Sequence, residues 1–168
     1  MKLKVPFYKQ KTIYYCGPAC LQMVFGFFGL KKSQEEIAKQ TKTNEKNGTL
    51  HKNMVNIILK NGFYCYVNNN STLHEVKHLI DIGIPVIVNY LESSNDEVHY
   101  AIITGYEKDY LILNDPWNGK DLKLTNNFFK ARWFDYHKHH IYEQGIIAIS
   151  PEKFILGKQH CPKSRKKK

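Results

Sequence analysis

The chain has 168 residues, a length typical of one domain rather than two. Hydrophobic residues make up 42% and charged residues 24%, which argues against a disordered chain and against a fibrous repeat. The longest apolar stretch, residues 23–30, is too short for a membrane-spanning helix of about 20 residues, and the first residues lack the apolar region of a signal peptide. We therefore expect no membrane span and a cytoplasmic location.

The positive charge is concentrated at the carboxyl end of the chain. The formal net charge is +10, and residues 157–168 hold six basic side chains and no acidic one. We expect a single domain over residues 1–156 and a disordered basic tail over residues 157–168. Such a tail favours contact with an acidic partner. Nucleic acid is not expected as that partner, because the tail has no interleaved aromatic residues and no recognised binding motif.

The four cysteines predict reduced thiols. Cys16, Cys20, Cys65 and Cys161 are too few and too irregularly spaced for a disulfide scaffold. No CxxC pair is present, so a structural zinc site has little support, and we expect neither a metal nor a cofactor. A single cysteine in a special setting is then a candidate nucleophile, which needs a base elsewhere in the chain.

The first elements along the chain are predicted to be a short strand and two helices. The strand covers residues 3–8. Pro18 lies just inside an apolar segment with helical spacing, which predicts a mostly buried helix that begins at Cys16 and ends near residue 28. Ser33 and Glu36 form a capping-box pattern for a second, short helix that ends near residue 40.

Two further helices are predicted from caps and glycine stops. Thr49 is placed to cap a third helix, and Gly62 suits the left-handed conformation at its end. Thr72 and Glu75 form another capping-box pattern over a short fourth helix, which Gly83 closes. The first half of the chain is therefore predicted to be mainly helical.

The second half of the chain favours β-structure. Runs of β-branched and aromatic residues predict one brief strand before the fourth helix and four strands after it, over residues 63–67, 85–91, 98–107, 110–116 and 145–150. The short segment between the third and fourth runs predicts a hairpin, and the Asn-Gly pair at 118–119 predicts a turn. Helices segregated from antiparallel strands indicate the α+β class.

Cys16 stands at the predicted start of the first helix. The helix dipole and the free amide groups there favour a thiolate, so we expect a lowered thiol pKa. Gly17 leaves room for a substrate backbone to approach. The Cys16 amide and the Gln10 side chain are candidate donors to an oxyanion, since a neutral amide donates without titrating. These features predict nucleophilic acyl chemistry on a thiol.

His99 and Asp115 are the candidate base and its orienting group. Of the eight histidines, His99 opens a predicted core strand, and Asp115 ends the next strand. If the two strands pair as a hairpin, their outer ends meet and bring these side chains together. The carboxylate would then hold the imidazole in one tautomer and stabilise its charged form. A structural histidine and a simple Asp-Pro turn are the alternative interpretations.

These residues and their surroundings resemble the papain-like cysteine peptidases of the bacteriocin-processing C39 type. The resemblance rests on Gln10, on CGPACLQM from Cys16, on HYAIITGY from His99 and on NDPW around Asp115, and it extends over about residues 5–117. It implies a papain-like α+β fold with N-terminal helices packed on a C-terminal antiparallel sheet, and cleavage of a peptide or protein substrate. It implies Cys16 as nucleophile, with His99 as base and acid. It also implies Asp115 as the orienting residue and Gln10 as an oxyanion donor.

The best-known members of this family are N-terminal domains of export transporters that cut leader peptides after a double glycine. This chain contains no transporter region, so we expect a stand-alone C39-like member. Tyr15 stands where many members carry an acidic residue. Tyr15, Gly17 and Tyr100 are the residues expected to contact the substrate.

Three other functions stay open from the sequence. An acyl or peptidyl transferase would form the same acyl-enzyme and pass the acyl group to an amine instead of water. A catalytically silent papain-like protein would use the same fold to bind a partner. A nucleic-acid-binding protein led by the basic tail is the third alternative.

A histidine-rich segment near the end of the chain is a weaker candidate site. His137, His139 and His140 lie close to Asp135 in the sequence. Alternation along a strand would put His137 and His139 on one face, where a zinc or nickel ion could bind. No outer-shell residue supports such a site, so a solvated cluster is the favoured interpretation.

Overall fold

The computed structural model describes residues 1–137, 140–153, 155–157 and 159–162. The described helices are α1 (Cys16–Phe27), α2 (Gln34–Thr41), α3 (His51–Lys60), α4 (Leu73–Asp81) and α5 (Asn126–Arg132). The described strands are β1 (Tyr64–Asn68), β2 (Val86–Leu91), β3 (Val98–Tyr106), β4 (Tyr110–Asp115), β5 (Gly119–Thr125), β6 (Phe134–His137), β7 (His140–Glu143), β8 (Ile146–Ser150) and β9 (Gln159–His160). No helix among these is both long and apolar enough to cross a membrane.

The architecture is an antiparallel sheet covered by helices. In the described chain, seven strands form one sheet in the order β5-β4-β3-β2-β8-β1-β9, and β6 and β7 form a separate hairpin. Residues of α1, α2 and α3 pack into one apolar cluster, on one face of the sheet. Residues of α4 and α5 pack into a second cluster on the other face. The α+β class predicted from the sequence is confirmed, with helices on both faces.

Local sequence signals place several helix ends. Ser33 Oγ accepts a hydrogen bond from Glu36 N at 3.2 Å, and Glu36 Oε2 accepts one from Ser33 N at 2.8 Å. The capping box predicted for α2 is therefore present. Gly62 and Gly83 follow α3 and α4 with φ values of +84° each, the left-handed conformation that glycine adopts without steric cost.

One predicted helix cap is absent, and one predicted capping box is only half formed. Thr49 does not cap α3: the N-cap is Leu50, which makes no side-chain cap, and the Thr49 hydroxyl bonds to another threonine hydroxyl 2.8 Å away. Thr72 Oγ1 does cap α4, since it accepts a hydrogen bond from Glu75 N at 3.1 Å. The Glu75 carboxylate is directed to Tyr66 Oη, 2.6 Å away, so a tertiary contact takes the place of the second half of the box.

Residues 3–8 do not form the predicted strand. The segment is tied to β3 by an isolated bridge between Lys2 and Gly105. A Cβ on Gly105 would lie 2.6 Å from Met1 O, so only glycine allows this approach. Pro6 has no N–H to donate, which prevents the ladder from continuing.

Several elements were not predicted from the sequence, namely β5, α5 and the β6–β7 hairpin. Strand β9 pairs with the edge of β1, where Cys65 stands opposite His160. The sheet therefore includes two residues of the segment expected to be a disordered tail. Residues 163–168 lie outside the described part of the chain, so the acidic partner expected for the tail stays a prediction.

Strands β2, β3 and β4 provide the frame for the candidate site. Tyr90 on β2 stands opposite His99 on β3, and Ile102 on β3 stands opposite Asn114 on β4. This register brings the start of β3 beside the end of β4, which carries Asp115.

Candidate active site

His99 and Asp115 are in contact at the open end of the β3–β4 hairpin. His99 Nε2 lies 2.9 Å from Asp115 Oδ2, and the two side chains are 10% and 0% exposed. The hairpin therefore brings them together as the sequence predicted. Because an ionised carboxylate only accepts hydrogen bonds, Nε2 is assigned the proton of the neutral ring and Nδ1 is left as its acceptor.

Several donors besides the imidazole hold Asp115. Tyr90 donates its hydroxyl to Oδ2, and the amides of Trp117 and Asn118 each donate to Oδ1 at 2.8 Å. Burial alone raises the pKa of Asp115, but the hydrogen bond and charge of His99, with the Tyr90 hydroxyl and the Asn118 backbone, lower it to about 2. Burial and the nearby carboxylate raise the pKa of Tyr90, which keeps its hydroxyl a donor.

Cys16 is the first residue of α1, at a helix end with free donors. Tyr15 is the N-cap and makes no side-chain cap. Pro18 has no N–H, and Ala19 N donates to Tyr15 O at 2.9 Å. The amides of Cys16 and Gly17 are therefore the donors at this end that remain outside the helix ladder.

The expected lowering of the Cys16 pKa is wrong for the thiol in this environment. Burial raises the pKa of Cys16 above its ordinary value, and the charge of Asp115 raises it further. Hydrogen bonds from the backbone of Tyr100, Gly17 and Cys16 itself oppose these effects without overcoming them. The sequence indicated the helix end correctly, but it did not reveal how strongly burial disfavours the thiolate.

Asp115 is the charged group that acts on both the His99 imidazole and the Cys16 thiol. Asp115 binds the His99 imidazole directly and acts electrostatically on the Cys16 thiol. No hydrogen bond joins Cys16 Sγ to the imidazole within the described residues. The imidazole is therefore oriented by Asp115, and its pairing with the Cys16 thiol stays a prediction.

Gln10 lies beside the site but its amide is engaged. Its backbone N–H donates to Pro116 O at 3.0 Å, which ties this segment to the residue that follows Asp115. Its Nε2 donates to Thr12 O at 2.8 Å and to Ile13 O at 3.0 Å. Its Oε1 is buried and has no partner among the described residues. Gln10 is thus tied to the residue after Asp115, with both amide protons bonded inside its own loop.

The three residues expected to contact the substrate have different environments. A Cβ on Gly17 would lie 2.6 Å from Thr49 Cβ, so the missing side chain makes room for Thr49. Tyr100 is only 6% exposed, and its hydroxyl donates to Thr49 O at 3.3 Å, so its ring belongs to the core. The substrate contacts expected at Gly17 and Tyr100 stay predictions. Tyr15 is partly exposed beside Tyr14, with ring centroids 5.3 Å apart, and its substrate contact stays a prediction.

Tyr90, Glu92 and Asn118 belong to the site but were missed from the sequence. Tyr90 stands opposite His99 in the β2–β3 register, which single-sequence patterns do not reveal. Glu92 is 2% exposed and accepts a hydrogen bond from Asn118 Nδ2 at 3.0 Å. The one available signal was the position of Asn118 three residues after Asp115, in a turn that returns its amide to the carboxylate.

The remaining cysteines are not part of the site. All four cysteines are free, and Cys161 is exposed. Cys20 lies one helical turn beyond Cys16 and is fully buried, so its thiol pKa is raised by burial. Cys65 on β1 is also buried, which raises its pKa to about 12. The predicted core positions of Cys20 and Cys65 are confirmed.

The predicted histidine cluster is not tested by the structure. His139 and the side chains of His137 and His140 lie outside the described residues. Asp135 Oδ2 accepts a hydrogen bond from Asn89 Nδ2 at 3.3 Å, so this carboxylate has a partner on β2. In the described part of the chain, no group of three or more His, Cys, Asp or Glu side chains could hold a metal ion.

Comparison with curated proteins finds relatives among bacterial transporters. The Transport/processing ATP-binding protein ComA of Streptococcus pneumoniae, from strains R6 and TIGR4, is 29% identical over 156 residues. The match covers 86% of this chain and 21% of each relative. The chain therefore spans about a fifth of the length of these relatives.

Solved structures share the fold. The peptidase domain of Streptococcus ComA has a TM-score of 0.71 at 23% identity, with 86% of this chain and 97% of that domain covered. A double glycine motif protease from an AMS/PCAT transporter, in complex with the leader peptide, has a TM-score of 0.70 at 20% identity, with 90% and 94% covered. A C39-like peptidase from Bacillus anthracis has a TM-score of 0.70 at 15% identity, with 89% and 98% covered.

A model of the Peptidase_C39 like family matches residues 2–141, which is most of the chain and includes every residue of the site described above. Together with the shared fold, this match confirms the family resemblance found in the sequence. The chain therefore belongs to the C39-like family of cysteine peptidases.

Proposed function

We propose that this protein hydrolyses peptide bonds in a peptide or protein substrate, with Cys16 as nucleophile, His99 as base and acid, and Asp115 as orienting residue. The observation that supports the proposal is the buried His99–Asp115 pair, with its Nε2–Oδ2 distance of 2.9 Å, whose carboxylate also acts electrostatically on the thiol at the start of α1. An imidazole fixed by a carboxylate near a cysteine is the arrangement that thiol acyl chemistry needs.

Acylation starts with proton transfer from Cys16 Sγ to His99 Nδ1. Burial makes a solitary thiolate unfavourable, so the charge is formed as a pair with the imidazolium, which the ionised Asp115 stabilises through Nε2. The thiolate attacks the carbonyl carbon, a C–S bond forms, and the carbonyl oxygen becomes an oxyanion. When the C–N bond breaks, the imidazolium gives its proton to the leaving amine.

Deacylation uses the same groups in the opposite order. His99 Nδ1 takes a proton from water while the water oxygen attacks the thioester carbonyl. The C–S bond then breaks, the acid product leaves, and Cys16 regains its proton from His99. The amides of Cys16 and Gly17 lie outside the helix ladder and are suited to stabilise the oxyanion in both steps.

Gln10 is proposed as a further oxyanion donor. Its Nε2 protons are bonded to two loop carbonyls, 2.8 and 3.0 Å away, so one of these bonds has to be exchanged for the oxyanion. That exchange is favourable because a hydrogen bond to an anion is about twice as strong as one between neutral groups. The backbone bond from Gln10 to Pro116 keeps the amide at the site while it exchanges.

The first substrate to test follows from the structural neighbours. One of them is a double glycine motif protease in complex with a leader peptide. We propose that an unstructured peptide with a double glycine is accepted by the present chain as well. Cleavage products analysed with and without an added primary amine distinguish hydrolysis from acyl transfer, since a transferase yields the amine adduct.

The experiment that tests the proposal measures alkylation of Cys16 by iodoacetamide across pH 4–9, followed by peptide mass spectrometry. In the wild type we expect Cys16 labelling that depends on the ion pair with His99, and in His99→Ala a loss of about tenfold or more. Cys161 is exposed and serves as an internal reference in both proteins. Equal Cys16 labelling with and without His99 would contradict the proposal.

Peptide cleavage provides the second test. Cys16→Ala should abolish turnover and leave the thermal unfolding temperature within a few degrees of the wild type, because alanine keeps the helix start intact. Cys20→Ala is the matched control, since this thiol is buried and has no role in the proposed chemistry. Full activity of Cys16→Ala would overturn the proposed nucleophile.

A further inference from the structure

Two buried carboxylates lie on either side of the Asn118 side chain. Asp115 is 0% exposed and Glu92 is 2% exposed. Asn118 Nδ2 lies 3.3 Å from Asp115 Oδ2 and 3.0 Å from Glu92 Oε2. The single Nδ2 group carries two protons, so it can donate one to each carboxylate.

The backbone of Asn118 adds a third bond to the same cluster. Its N–H donates to Asp115 Oδ1 at 2.8 Å, so Asn118 reaches both oxygens of that carboxylate. A carboxylate with donors on both oxygens has little freedom to rotate. The oxygen that bonds to His99 is therefore also held by the Asn118 side chain.

Glu92 is itself fixed, which makes it a firm acceptor for Asn118. Its carboxylate accepts hydrogen bonds from Ser94 N at 2.6 Å, Ser94 Oγ at 2.5 Å and Asn95 N at 2.5 Å. Together with Asn118, these donors lower the pKa of Glu92 to about 2 although burial alone would raise it. Arg132 at the end of α5 donates to Glu92 O at 2.8 Å and so anchors the loop.

We propose that Asn118, held by Glu92, is a positioning residue that fixes the Asp115 carboxylate against His99. The inference rests on the proposed function, because it concerns the orienting residue of the same site. Asn118 does not touch the reacting atoms. Its side-chain amide lies between the Asp115 and Glu92 carboxylates and donates a hydrogen bond to each. These bonds keep Asp115 aligned with the imidazole.

Two substitutions of Asn118 separate this role from simple filling of space. Asn118→Ala removes the donor and leaves the backbone bond to Asp115. Asn118→Asp keeps the size of the side chain but puts a third carboxylate between two others. We expect kcat on a peptide substrate to fall about tenfold in the Ala variant, with KM unchanged, and to fall further in the Asp variant. Asn118→Ser, which restores a hydroxyl donor, should recover part of the loss.

The controls use an asparagine outside the network. Asn56 is exposed on α3, and Asn56→Ala and Asn56→Asp make the same chemical changes away from the site. Asn118 is also exposed and its backbone does not need a positive φ, so its variants should fold, which thermal unfolding checks. Iodoacetamide labelling of Cys16 at neutral pH is the second readout, and it should follow the same order as kcat.

The outcomes separate this inference from the proposed function. An Asp variant as active as the wild type, or more active than the Ala variant, would mean that shape alone matters and would overturn the positioning role. Unchanged kcat and labelling in both Asn118 variants would overturn it as well. If the wild type itself shows no His99-dependent labelling of Cys16, the proposed function fails whatever Asn118 does.

Discussion

Replacing Asp115 by asparagine should change how the stability of the protein depends on pH. The pKa of Asp115 is about 2 in the folded protein, against about 3.9 in an unfolded chain. A folded pKa below the unfolded value stabilises the protein above the unfolded pKa, and that contribution is lost as the pH falls through the folded pKa. At neutral pH the difference corresponds to a stabilisation on the order of 2–3 kcal/mol in the unfolding free energy.

Urea unfolding at pH 7 and pH 3 measures this contribution. Linkage predicts that the titration of Asp115 lowers the unfolding free energy of the wild type by about 1 kcal/mol between these two pH values, with the remainder lost only at lower pH. Asp115→Asn should therefore lose about 1 kcal/mol less unfolding free energy than the wild type over the same interval. Glu92, which also has a pKa of about 2, contributes to both proteins. Because each protein is compared with itself at the two pH values, any loss of unfolding free energy that the substitution causes equally at both pH values cancels.

Asp109→Asn is the matched control, because it makes the same chemical change at an exposed position in the β3–β4 turn. Its loss of stability from pH 7 to pH 3 should equal that of the wild type. If Asp115→Asn and the wild type lose the same free energy, Asp115 is not the strongly stabilised carboxylate described here. The orientation assigned to His99 would then lose its physical basis.

Three further changes have expected outcomes of their own. Gly17→Ala should lower the unfolding free energy by about 1–3 kcal/mol, because the new Cβ would lie 2.6 Å from Thr49 Cβ. Urea unfolding measures this loss, and adding Thr49→Ala to the same chain should restore part of it. Gln10→Ala should lower kcat by about tenfold or more with little change in KM, and an unchanged kcat would exclude Gln10 as an oxyanion donor. Tyr90→Phe removes a donor to Asp115 and should lower kcat about threefold to tenfold, as steady-state kinetics would detect.

The parts of the fold that were predicted correctly depend on local signals. The capping box of Ser33 and Glu36 and the glycine stops at Gly62 and Gly83 act within one or two helical turns, so the sequence alone contains them. Strand β5 was missed because its exposed face carries lysines and an aspartate, which obscure the apolar alternation.

The site shows the same division between local and tertiary effects. The contact between His99 and Asp115 follows from one hairpin, and the two residues are 16 positions apart. The raised pKa of Cys16 comes from its burial by distant segments, which no spacing reveals. Tyr90 reaches Asp115 through the pairing of β2 with β3, and Glu92 reaches Asn118 from the loop between these strands, so both contacts depend on the register.

The wide spacing of the candidate triad along the chain has a consequence for the order of assembly. The proposed base and its orienting residue need only the β3–β4 hairpin to meet, whereas the proposed nucleophile also needs α1 docked on β3. A chain with a formed hairpin and an undocked α1 would hold an oriented imidazole and no thiol beside it. Such a chain would lack the proposed cleavage activity, and the reactivity expected of Cys16 would report that the helical layer has docked.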